Sequence, residues 1–162
     1  MLHYSIGVQL AWEISSYEAS NKKSPLIEVD HIMLGILSLE KIEEDLRKKP
    51  KIDFNNFLFE KNKLYKTLEN YAINIDFFRR SLRNILPLGT GLPVDNIFHR
   101  STECKNLFNA SIQFSNNYIT INGLFLAIIG WNKSQTRNLL LKDNVDIEKL
   151  KTDILFSFYK NN

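Results

Sequence analysis

The sequence predicts an all-α bundle made of two similar halves. Three observations carry this. Glycine and proline are sparse, six and four in 162 residues, and they fall between stretches of apolar periodicity. Within those stretches apolar residues recur at three and four, the spacing of one helix face. The order of the stretches then runs a second time after an interruption at Pro87-Leu88-Gly89-Thr90-Gly91-Leu92-Pro93.

The elements follow in order. Val8, Leu10, Ala11, Ile14, Tyr17 and Glu18 lie on helical spacing, and Ser5 is placed to cap them. Ser24-Pro25 breaks the chain. Asp30 to Leu39 is intensely apolar, too long for a typical strand, and reads as a buried helix. Residues 40–52 are charged, end near Pro50 and read as a surface connection. Asp53 caps a third helix carrying Phe54, Phe57, Leu58, Leu64, Tyr65 and Leu68, and Asp76 caps a fourth carrying Phe77, Phe78, Leu82, Ile85 and Leu86. Beyond the interruption a helix covers Ser101 to Phe114, and Asn116-Asn117 is a loop. A very apolar helix runs from Ile121 to Ile129, another from Ser134 to Leu141, and the last from Asp146 to Phe158. The expected organisation is one domain over 1–162, with a first repeat at 1–86, a linker at 87–93 and a second repeat at 94–162.

The repeat rests on two collinear matches. Val29-Asp30-His31-Ile32-Met33-Leu34-Gly35-Ile36-Leu37 aligns with Ile121-Asn122-Gly123-Leu124-Phe125-Leu126-Ala127-Ile128-Ile129, at an offset of 92. Asn74-Ile75-Asp76-Phe77 aligns with Asn144-Val145-Asp146-Ile147, at an offset of 70. The difference, 22 residues, is an insertion in the first half. Gly35 and Ala127 fall in register, and small residues there let helices approach closely.

Composition bounds the function classes. A 44% hydrophobic chain of this length buries a core and is not disordered. Its 21 basic and 18 acidic residues leave a net +3, which argues against a dedicated nucleic-acid binder. No run approaches the ~20 apolar residues of a membrane span. Met1-Leu2-His3-Tyr4-Ser5 lacks the layout of a signal peptide, and Cys104 is the sole cysteine. Both fit a reducing cytoplasm.

The repeated unit resembles a known family. Ile27-Glu28-Val29-Asp30-His31-Ile32-Met33-Leu34-Gly35-Ile36-Leu37 is similar to the first-repeat signature of the amino-terminal domain of Clp-type AAA+ unfoldases. Glu13, Ser15 and Ala19 sit where that family's first helix puts its acidic and small residues. Asn144-Val145-Asp146-Ile147-Glu148-Lys149-Leu150 resembles the end of its second repeat. Gly123 stands where a second His is expected and Asn122 where an acid is, and the loop before Ile119 is short. The resemblance implies a pseudo-twofold bundle, about four helices per repeat. It further implies docking of protein substrates or adaptors for an ATP-driven, hexameric ring, the isolated domain being monomeric. Disaggregation, regulated proteolysis and disassembly of the type VI secretion sheath are the roles of such rings. No nucleic-acid or membrane partner is implied.

A search for chemistry in the residues finds little. No glycine opens a phosphate-binding Gly-x-x-x-x-Gly-Lys-Ser/Thr loop, so ATP, and any cofactor, belongs to a motor outside these residues. His31 beside Asp30 has the makings of a general base; the competing reading is a capping or packing histidine. His99 and Cys104 lie close in sequence and His3 far away, short of a recognisable zinc set. Arg79, Arg80 and Arg83, with Arg47-Lys48-Lys49, offer a surface for an acidic partner or simply a solvated face. Helix one carries Ile6, Val8, Leu10, Trp12, Ile14 and Tyr17 on more than one face, and the linker region adds Leu86, Leu88, Leu92, Val94 and Phe98. From these, a peptide- or helix-binding groove is expected at Ile6, Leu10, Ile14, Leu88, Leu92 and Phe98. The alternatives are a stand-alone protein-binding adaptor without a motor, and a small hydrolase or metal enzyme using His31, His99 or Cys104.

Overall fold

A computed structural model describes residues 3–49, 53–115 and 118–159. The break expected at Pro50 and the loop at Asn116-Asn117 lie outside them.

Helix α1 (Ile6–Asn21) starts where Ser5 Oγ accepts the Val8 amide at 3.1 Å. Its buried stripe is Gly7, Val8, Ala11, Ser15, Glu18 and Ala19, mostly small residues at helical spacing. Helix α2 (Val29–Leu37) is buried at all nine positions. The two pack almost backbone to backbone: a Cβ added at Gly35 would lie 2.1 Å from the Ala11 carbonyl oxygen. This is the close approach expected from a small residue at that position.

The stretch expected as a surface connection is instead a helix, α3 (Leu39–Arg47). Leu39, Ile42 and Leu46 recur at three and four, and Leu39 and Leu46 are buried, so a sparse apolar stripe suffices beneath a charged outer face. Helix α4 (Phe54–Asn70) is capped by Asp53, which accepts the Asn56 amide at 3.2 Å. Helix α5 (Ile75–Ile85) is capped by Asn74, not Asp76. Asn74 Oδ1 accepts the Phe77 amide at 2.9 Å, while Asp76 sits in the first turn and pairs with Lys41, Arg79 and Arg80. Helix α6 (Thr102–Ser111) is capped by Ser101 and followed by a 3₁₀ turn at Ile112–Phe114. Helices α7 (Ile121–Gly130), α8 (Gln135–Lys142) and α9 (Ile147–Tyr159) complete the described residues.

Four two-residue strands knit the bundle. Strand β1 (His3–Tyr4) pairs in parallel with β4 (Tyr118–Ile119), and β2 (Leu26–Ile27) with β3 (His99–Arg100). The cap serines extend both ladders: the Ser5 amide donates to Ile119 O at 2.9 Å, and the Ser101 amide to Ile27 O at 3.0 Å. Each half's first helix is thus anchored to the strand before the other half's second helix.

The backbone also corrects the alignment of the caps. Ala72 and Asn144 both have positive φ, 56° and 58°. The next residue in each case turns its amide back to a helix carbonyl, Ile73 to Leu68 at 3.1 Å and Val145 to Leu140 at 2.9 Å. Asn74 and Asp146 then cap the following helices. These features correspond at an offset of 72, not 70, because the pattern Asn-aliphatic-Asp matched letters that occupy different turns. With α2 and α7 offset by 92, the first half is 20 residues longer between these points, not 22. The extra length is α3 and the early turns of α4.

Candidate functional site

The N-terminal ends of α1 and α4 and strand β4 enclose a cavity of about 580 Å³. Its apolar walls include Ile6, Phe57, Phe59, Phe114, Tyr118 and Phe158. Phe59 and Tyr118 are 54% and 45% exposed, so aromatic surface reaches solvent at the opening.

Glu60 stands in the wall although only 7% of it is exposed. Helical spacing puts it there: Phe57, Glu60, Leu64 and Leu68 share the buried stripe of α4. Its Oε1 accepts the Ser5 hydroxyl at 3.0 Å and the Ile121 amide at 2.5 Å, joining α4 to the starts of α1 and α7. Oε2 has no hydrogen-bond partner among the described residues and lies beside Gly7, where an added Cβ would come within 2.9 Å of it. Burial disfavours the charged form and raises the carboxyl to about 7, against the two hydrogen bonds, which pull it down.

A second carboxylate bridges the halves. Asp30, 8% exposed on α2, accepts the Ser134 hydroxyl at 3.1 Å and the Gln135 and Thr136 amides, both at 3.0 Å. It also accepts the Thr136 hydroxyl at 2.7 Å. It caps the start of α8 from outside, where orphan amides and the helix dipole favour an anion.

The expected groove residues do not converge. Ile6 lines the cavity; Leu10, Ile14 and Phe98 are half-buried against the core. Leu88 and Leu92 are 71% and 55% exposed. Their segment is strapped to the far end of α1: the Gly89 amide donates to Lys22 O at 2.7 Å and the Gly91 amide to Lys23 O at 3.0 Å. The sixteen residues of α1 put about 24 Å between these sites. The apolar residues of α1 lie on more than one face, as expected, and of the groove candidates among them Leu10 and Ile14 pack against the core.

The other candidates serve the fold. His31 is buried and its Nδ1 accepts the Glu28 amide at 3.0 Å, closing the start of α2; burial lowers its pKa, offset by neighbouring Asp30. Cys104 is buried and its thiol is pushed up to about 12, so it stays protonated. His99 is exposed beside Asp95, at 3.4 Å. No cluster of three or more His, Cys, Asp or Glu side chains suited to a metal occurs among the described residues. Within the basic clusters, Arg79 and Arg80 pair with Asp76, Arg83 makes a two-point pair with buried Glu18, and Arg47 pairs with Glu43, while Arg47, Lys48, Lys49 and Arg80 stay exposed. No helix of the described residues is long and apolar enough to cross a membrane.

No family model matches the sequence, and no curated protein matches it significantly. Among solved structures, the chain is similar to the N-terminal domain of the caseinolytic protease-associated chaperone ClpD from Arabidopsis thaliana. The TM-score is 0.57 at 16% identity, over 96% of this chain and 94% of that one. The class is therefore a helical bundle with the Clp N-domain fold.

Proposed function

We propose that this chain is a substrate- or adaptor-docking domain serving a Clp-type ATP-dependent unfoldase, built as two copies of one unit at 1–86 and 94–162. It acts by reversible capture of an apolar peptide or helix, without covalent chemistry and without a cofactor of its own. Disaggregases and sheath-disassembling ATPases of type VI secretion are the candidate parents. The observation that carries the reading is the aromatic-walled cavity whose rim, Phe59 and Tyr118, is exposed on this fold. Exposed apolar surface next to a cavity offers area that a partner removes from water, at ~25 cal/mol per Å² before association costs. The expected partner is a protein segment in the cytoplasm.

The test is fluorescence anisotropy of a labelled, unstructured peptide with Leu and Phe anchors. Binding is expected, and Phe59→Asp and Tyr118→Asp, both at exposed positions, are each expected to weaken it at least tenfold without lowering Tm. Leu88→Asp with Leu92→Asp tests the separate surface at the far end of α1. Absence of peptide binding, or binding indifferent to Phe59 and Tyr118, overturns the cavity as the docking site.

A further inference from the structure

The polar lining of the cavity is one-sided. Ser5 Oγ gives its proton to Glu60 and accepts the Val8 amide. Thr120 Oγ1 accepts the Gly123 amide, Ser115 Oγ donates to the Tyr118 carbonyl, and Asp53 takes the amide and side chain of Asn56. Among the lining carboxylate oxygens, Glu60 Oε2 has no hydrogen-bond partner among the described residues, and it belongs to a side chain more than nine-tenths buried. Two carboxyl groups, Glu60 and Asp53, line the cavity, and among the described residues no Lys, Arg or His does.

The remaining walls are aromatic faces and alkyl surface, which accommodate methylenes and attract a cation to their π-systems. Phe59 and Phe158 already show this affinity, with the Lys63 ammonium 4.0 Å and 5.6 Å from their ring centroids. A guanidinium needs two free carboxylate oxygens for its paired hydrogen bonds. Glu60 Oε1 is committed to Ser5 and Ile121, so a single point charge on a straight stem fits better. We propose that this cavity seats a lysine side chain of the docked segment, with its ammonium at Glu60 Oε2 and its methylenes along Phe57, Phe114 and Tyr118. The proposal rests on the docking reading and names the residue that anchors there.

Glu60 is met by Ser5 from the start of α1 and the Ile121 amide from α7, and Asp53 and Tyr118 line the same cavity; of the described cations nearby, Lys61 pairs with Glu43 and Lys63 lies over the Phe59 and Phe158 rings. No cation among the described residues pairs with this carboxyl, and an incoming ammonium binds its ionised form. With the carboxyl near 7, the competent fraction rises about tenfold between about pH 6 and about pH 8, and affinity follows it.

The experiment is an NMR titration of the isotope-labelled chain with n-butylammonium, n-butylguanidinium and n-butanol as probes. Shifts are expected at the amides of Gly7, Ile121 and Tyr118. The ammonium should bind about tenfold tighter at the higher pH and tighter than guanidinium, with the alcohol weakest. Glu60→Gln, which retains an acceptor for Ser5 and Ile121, should abolish the pH dependence; the wild-type pH profile stands as evidence even if that variant folds poorly. Equal binding of butanol and butylammonium, or shifts confined to other sites, overturns the lysine seat. Binding of the same peptide with an added lysine that depends on Phe59 but ignores Glu60 and pH overturns it while leaving the docking reading intact. Loss of peptide binding altogether overturns both.

Discussion

At the second helix of each half, one position carries two different side chains. In the first half Asp30 accepts four hydrogen bonds from the start of α8. In the second half Asn122 holds the matching place, 92 residues on. Its Nδ2 reaches Glu60 O at 3.5 Å, and its buried Oδ1 has no partner among the described residues. The partner helix explains the change. Helix α8 begins at Gln135 and offers free amides. Helix α4 begins at Phe54, so 72 residues before Gln135 it is in mid-course and its amides are already bonded. With no cation beside it, a buried anion at this position is favoured where a helix begins. The closeness of the helix pairs differs too. Gly35 meets Ala11 at backbone contact. Ala127 stands opposite the other first helix, where Leu107, 96 residues beyond Ala11 by the cap serines, keeps α6 back. A cavity of about 450 Å³ lined by Leu107, Ala110, Ala127 and Trp131 results.

Four measurements would break or sharpen this contrast. The largest effect is expected from Asp30→Ala, which strands buried donors at the start of α8 and should cost about 4 kcal/mol in urea unfolding. Asn122→Asp should destabilise as well, because the added charge meets no donors; a neutral result would undo the argument from helix starts. Gly35→Ala should cost about 3 kcal/mol, since a carbonyl at 2.1 Å cannot yield without parting α1 from α2. Ala127→Leu, beside open space, should change stability by less than about 0.5 kcal/mol.

The third concerns pH. Glu60 titrates at about 7 when folded against an ordinary 4.5, so the native state holds more protons between these values. Stability should be full below about pH 4.5, fall through about pH 7, and then level off, a total of about 3 kcal/mol. Glu60→Gln should flatten that slope, and an unchanged slope would place the titration elsewhere. The smallest effect is at the helix ends. Ala72→Gly should gain about 1 kcal/mol by relieving a left-handed residue, while Asn144→Gly should gain little because Asn tolerates that conformation. Thermal melts of the two variants compare them directly.

Helix positions were largely legible because periodicity and caps are local: Ser5 and Asp53 cap where their spacing implies, and the helices expected to open at Ser101 and Ser134 do start there, with those serines as their caps. Helix α3 was hidden by its charges, three apolar residues being a thin stripe. The candidate site was legible only at Ile6. Glu60 carried a signal, its place on the buried stripe of α4, but sequence periodicity does not say what lies opposite. Phe59 and Tyr118 belong to different halves, and only strand pairing brings them to one opening.

The chain by itself determined the helical class, the two-part order and the close α1–α2 contact at Gly35, since these follow from turn-by-turn spacing and side-chain size. The tertiary structure decided which carboxylate is paired and which is held near neutrality. It also decided that Ile6 and Leu88 lie at opposite ends of one helix. Burial, hydrogen-bond supply and cavity shape arise from groups far apart in sequence, and no local pattern encodes them.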